Sequence, residues 1–123
     1  MSDDVVVRPP NSLVLVMDPQ VAVVPDRMDQ GLVAATESCV AVGTLAEHDG
    51  PTHIRLVGSG SSDLGVLSDE PIWDGTLRTL DRVSVVTVFG EELLSLPAEQ
   101  SSRVRVWANH PTEPDELFIV VGE

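Results

Sequence analysis

Lysine and tyrosine are absent from these 123 residues, and the aromatic side chains amount to two Trp and two Phe. A core here cannot be built around rings. It must come from branched aliphatics, and valine alone supplies 21 of them. Valine is stiff at χ1 and suits the pleated surface of a strand, so this composition points to an all-β protein. Basic charge is scarce as well: seven arginines face twenty acidic residues, for a formal net charge of −13. That balance excludes nucleic acid and anionic membranes as expected partners, because phosphate binding needs basic groups that displace counterions. A uniformly acidic surface and a functional acidic patch would both produce it.

A single cysteine, Cys39, excludes an intrachain disulfide and points to a reducing compartment. The start, Met1 to Pro10, lacks the basic opening and apolar run of a secretory leader, and no apolar stretch approaches the length of a membrane span. The expectation is a cytoplasmic protein forming one domain over residues 1–123. A hydrophobic content of 42% suffices for a core without disulfide or metal.

What is present is a series of short apolar runs separated by proline and glycine. Val5–Arg8 ends at Pro9-Pro10, Ser12–Met17 at Asp18-Pro19, and Val21–Val24 at Pro25-Asp26. Gly31–Thr36, Cys39–Leu45 and Thr52–Val57 follow, the last two flanking Glu47 to Pro51, which reads as a hairpin loop. Thr76–Leu80, Val83–Phe89, Glu91–Leu96, Arg103–Asn109 and Leu117–Val121 complete the set. Residues 31–47 also carry apolar residues at helical spacing, but β-branched Val33, Thr36, Val40, Val42 and Thr44, with Gly43 inside, favour strands. Regular short strands with turn punctuation predict a single-domain, two-sheet antiparallel β-sandwich. Gly58 to Glu70 is small, polar and glycine-rich, which marks a long connecting loop.

Catalytic and metal-binding patterns are thin. His48, Asp49 and His53 could gather two imidazoles and a carboxylate, yet their spacing defines no tetrahedral site. His110 stands in a separate turn. Cys39 lies in an apolar run with no basic neighbour to lower its pKa, so it reads as a buried, inert thiol. Gly58 to Asp63 shares only its glycines with a phosphate loop, and Asp63 would repel phosphate. No catalytic, cofactor or metal site is expected.

The charged faces are more informative. Alternation along Arg103–Asn109 puts Arg103, Arg105, Trp107 and Asn109 on one face and Val104, Val106 and Ala108 on the other. Arg55 lies opposite Ile54 and Leu56, so neighbouring strands would assemble an arginine stripe beside Trp107. Such a stripe pairs with nearby carboxylates or serves as an interface, where Trp and Arg are enriched. Two acidic loops bounded by proline or glycine complete the candidate surface: Asp69, Glu70 and Asp74, then Glu113, Asp115 and Glu116.

Arg103-Val-Arg-Val-Trp107, followed by the Pro111-to-Val121 stretch with its Pro-Thr-Glu-Pro-Asp loop, resembles the C-terminal signature of small acidic bacterial proteins related to competence protein J. The resemblance covers Val83 to Val121. Val42–Leu45 with Asp49-Gly50 is also similar to a pattern in acidic proteins of GC-rich bacteria. Competence protein J inhibits a partner nuclease, so the resemblance implies an inhibitor or immunity role. The expectation is an acidic interaction module for a basic protein partner. A small-ligand-binding sandwich with a pocket under residues 58–71 and an enzyme with a histidine–carboxylate site remain alternatives.

Overall fold

A computed structural model describes residues 2–26, 31–59 and 70–122. Its strands are β1 (Ser2–Val7), β2 (Leu13–Met17), β3 (Val33–Ala35), β4 (Cys39–Gly43), β5 (Thr52–Gly58), β6 (Trp73–Arg78), β7 (Arg82–Thr87), β8 (Glu92–Pro97), β9 (Ser101–Ala108) and β10 (Glu116–Val121), with a 3-10 turn at Pro10–Ser12. They form two five-stranded sheets, ordered β1-β5-β10-β9-β6 and β3-β4-β2-β7-β8. Inward-pointing side chains from both sheets share one core. Ile54, Leu56, Leu117 and Ile119 of the first sheet belong to the same buried cluster as Val14, Val16, Val40 and Val85 of the second. Alternate burial along β9, with Ser102, Val104 and Val106 inward, follows from the period of two. The all-β sandwich expected from valine content is the observed architecture. Among the described residues, no helix is long and apolar enough to cross a membrane.

Three features of the chain's path differ from the sequence-based expectation, besides some strand ends. First, one central pair is parallel: β5 runs beside β10, with His53 opposite Glu116 and Val57 opposite Val120. Parallel neighbours need a crossover, and the chain provides it by visiting the second sheet as β7 and β8 between them. Second, residues 44–51 do not close a hairpin, because β4 and β5 belong to different sheets. They carry the chain across the sandwich. Third, Val21–Val24 forms no strand. The Val21 and Ala22 N–H groups both donate to the Asp18 carbonyl, at 3.1 and 3.0 Å, and Val23 N–H donates to Ser38 Oγ at 2.7 Å. Ala22 instead packs on the outer face of the second sheet against Leu15, Met17, Cys39, Ala41 and Val86. A second apolar layer is thus buried outside that sheet, which is why β2 reads as the unbroken run Leu-Val-Leu-Val-Met.

Residues 31–47 are strands: β3 and β4 pair antiparallel, with Val33 opposite Val42. β6 starts earlier than expected, at Trp73, whose ring lies directly over Gly75. A Cβ at Gly75 would come within 2.7 Å of it. β7 stops short of Phe89, at Thr87. There a tight turn begins, closed by Gly90 N–H donating to the Thr87 carbonyl at 3.0 Å, with Gly90 at φ +87°.

Registers bring the connections 8–12, 44–51, 88–91 and 109–115 to one end of the sandwich. Val7 faces Thr52, Leu13 faces Gly43, Val14 faces Thr87, and Leu117 faces Ala108. A cross-sheet hydrogen bond ties the two layers together there, from Leu45 N–H to the Pro114 carbonyl at 2.9 Å, while Thr44 N–H to the Ser12 carbonyl at 2.8 Å extends the β2–β4 ladder.

Candidate functional site

The loop between β9 and β10 is braced throughout its length. Asn109 donates from Nδ2 to Asp115 Oδ1 at 2.7 Å and accepts the Glu116 N–H on Oδ1 at 3.1 Å. His110 Nδ1 accepts the N–H groups of Thr112 at 3.2 Å and Glu113 at 3.0 Å. Pro114 is buried, and the Asp115 carbonyl accepts His53 N–H at 2.8 Å. Proline fixes φ at Pro111 and Pro114, so the loop is held in one shape while Glu113, Asp115 and Glu116 stay exposed.

Two carboxylates outside the acidic loops singled out from the sequence share this end. Glu47 and Asp49 are exposed in the crossing between β4 and β5, where Arg8 Nη1 donates to the Glu47 carbonyl at 2.9 Å. Their signal lies in the Glu-His-Asp-Gly turn, where Asp49 reads as a possible metal ligand beside His48. The end also carries Phe89, 79% exposed at the tip between β7 and β8. Thr87 Oγ1 accepts the Phe89 and Glu91 N–H groups at 3.3 and 3.2 Å, which stiffens that tip. The Gly90-Glu91 pair after Phe89 was the available sign that the strand ends before it.

The outer face of the first sheet assembles the arginine stripe. Pairing places Asp4, Arg55, Phe118 and Trp107 side by side across β1, β5, β10 and β9. The Arg55 guanidinium lies 5.0 Å from the Phe118 ring centre and Arg105 lies 5.8 Å from that of Trp107. Trp107 and Phe118 meet edge to face at 6.3 Å. Arg103 grips both oxygens of Asp74, from Nε at 3.1 Å and Nη2 at 2.8 Å, and this bond holds the Asp74 carboxyl below its ordinary pKa. Arg55 and Arg105 thus lie over the aromatics while Arg103 pairs with Asp74, as charged strand faces usually do. Of the first acidic loop, Glu70 is exposed and Asp74 is committed to Arg103, while Asp69 lies outside the described residues, as does most of the 58–71 segment expected to cover a pocket.

The three histidines do not converge. His53 Nε2 bonds Asp4 Oδ2 at 2.8 Å, His48 Nε2 lies 3.7 Å from Asp49 Oδ1, and His110 serves its own loop. Cys39 is fully buried where β4 begins, at the other end of the sandwich, and burial pushes its thiol pKa up to about 12. Among the described residues, no group of three or more His, Cys, Asp or Glu side chains is placed to hold a metal ion.

This arrangement defines a class: a two-sheet β-sandwich with an acidic, loop-built end and an arginine–aromatic sheet face. The fold is similar to that of ComJ from Bacillus subtilis, described as an inhibitor of the DNA-degrading activity of NucA. The TM-score is 0.67 at 12% identity, covering 100% of this chain and 97% of ComJ. The likeness spans the whole chain, not only the Val83–Val121 stretch that suggested it. No family model matches the sequence, and no curated protein matches it.

Proposed function

We propose that this protein binds a basic protein partner, of the nuclease or toxin kind, and inhibits it by covering its cationic surface. The observation that carries this reading is the braced loop between β9 and β10, which presents Glu113, Asp115 and Glu116 outward with Glu47 and Asp49 at the same end. A net charge of −13 steers a cationic surface toward it and raises the association rate, an effect that weakens with salt. A loop already fixed by proline and internal hydrogen bonds loses little entropy on docking. Nucleases present basic surfaces to nucleic acid, so an acidic end can occupy the same surface. The likeness to ComJ supports the choice of partner class.

Titration against a basic nuclease or toxin encoded beside this protein tests the reading. Binding should be tight at low salt and weaken steadily as salt rises. Reversing Glu113, Asp115 and Glu116 to arginine should weaken it at least about tenfold. No binding at low salt, or binding indifferent to both salt and charge reversal, would refute it.

A further inference from the structure

A cleft of about 480 Å³ opens beside the acidic loop at the same end of the sandwich. Leu13, Leu32, Ala46 and Pro111 supply apolar walls, and Glu113 is the one charged side chain among the described residues that line it. The walls belong to separate parts of the chain, yet they hang from a single rail. Three consecutive N–H groups at the end of β4 donate to three different segments: Gly43 to the Leu32 carbonyl at 2.9 Å, Thr44 to that of Ser12 at 2.8 Å, and Leu45 to that of Pro114 at 2.9 Å. Gly43 lets the Leu32 wall approach, since a Cβ there would stand 3.1 Å from Leu32 Cδ1. The cleft is thus formed in advance by backbone hydrogen bonds.

We infer that this cleft receives one arginine side chain of the partner. Apolar walls with a single carboxylate among the described lining residues match a side chain with a hydrocarbon stem and a cationic head. Guanidinium suits the site better than ammonium, because it is weakly hydrated, lies flat against apolar surface and meets a carboxylate with two parallel hydrogen bonds. The inference deepens the basic-partner reading: the acidic end attracts, and the cleft selects. An anchor residue entering a preformed pocket is also where binding energy concentrates in protein interfaces.

The test uses a small probe, so it does not depend on the partner. The ¹⁵N-labelled protein is titrated at low salt with N-acetyl-L-arginine amide, and in parallel with N-acetyl-L-norleucine amide, which keeps the stem and lacks the charge. Saturable amide shifts confined to Leu13, Leu32, Ala46, Thr112 and Glu113 are expected with the arginine probe. The norleucine probe, and the arginine probe on Glu113→Gln, should each bind about fivefold or more weakly. Ala46→Met, which fills the cleft and leaves the carboxylate in place, should abolish saturation. Unsaturable shifts spread evenly over the acidic loops, or unchanged binding by Ala46→Met, would overturn the cleft. Those results would leave the basic-partner reading standing, since charge steering needs no pocket. Saturable arginine binding by a protein that engages no basic partner would do the reverse.

Discussion

The Asp18 carboxylate accepts the backbone N–H of Leu80 at 2.8 Å, joining residues 62 positions apart. The same oxygen takes Asp81 N–H at 3.0 Å and Arg82 N–H at 3.4 Å, while the other takes Gln20 N–H at 3.0 Å. One fully buried side chain therefore clasps the exit of β2 to the turn between β6 and β7. Burial alone would raise its pKa. The four backbone donors outweigh that and bring it down to about 2.

The clasp predicts a pH dependence of stability. Its folded pKa of about 2 lies below the unfolded 3.8, so the stabilisation is complete above about pH 4 and disappears as pH falls toward 2. The linked free energy is about 2 kcal/mol. Urea unfolding should show Asp18→Asn less stable by at least that amount at pH 7, with the gap narrowing toward pH 2. A variant that tracks the wild type at both pH values would contradict the clasp.

Cys39 should be chemically silent until the protein unfolds. Its thiol is fully buried in the apolar layer outside the second sheet, with its pKa pushed up to about 12, so thiolate is scarce at neutral pH. Ellman's reagent should label it only in denaturant. Cys39→Ser places a hydroxyl in that layer and should cost about 1–2 kcal/mol of stability, with Cys39→Val tolerated better.

Gly75→Ala should disturb Trp73 rather than the backbone. The added Cβ would sit 2.7 Å from the indole, so the ring must leave its place against the core. A destabilisation of about 1–3 kcal/mol is expected, with a shift in tryptophan emission. Unchanged emission and stability would mean that the ring has room to spare.

Phe89→Ser should separate stability from recognition. At 79% exposure the ring contributes little to the fold, and unfolding free energy should change by less than about 0.5 kcal/mol. Affinity for a basic partner should fall, because an exposed aromatic on a stiff turn at the acidic end is placed to enter an interface core. A variant that unfolds more readily would show that the ring packs on the protein itself.

The parts of this fold that were legible in the sequence are those governed by neighbours in the chain. Arg103–Asn109 and Leu117–Val121 declared themselves by alternation, by an apolar run and by the prolines between them, and they form a hairpin in register. Val33 and Val42 overrode the helical spacing of residues 31–47 because branched side chains fit a sheet. Partner choice was not legible. Nothing local marks β5 as the neighbour of β10, or residues 44–51 as a crossing between layers, because those choices depend on packing between distant segments. Val21–Val24 misled for the same reason: Ala22 covers a sheet face and Val23 and Val24 stand exposed, so the run extends no sheet. The acidic loop of Glu113, Asp115 and Glu116 was visible by composition, whereas its grouping with Glu47, Asp49 and Phe89 required the topology.

The pairing of β5 with β10 has a consequence for how the protein is made. The first sheet draws β1 and β5 from the early part of the chain and β6, β9 and β10 from the late part, and the second is divided in the same way. Neither half owns a sheet, and the middle place in the first is held by Glu116–Val121. During synthesis, β1 and β5 wait with one long edge unpaired until that segment has left the ribosome. Closure of the first sheet depends on that late segment, and a topology this rich in non-local pairing is expected to fold slowly.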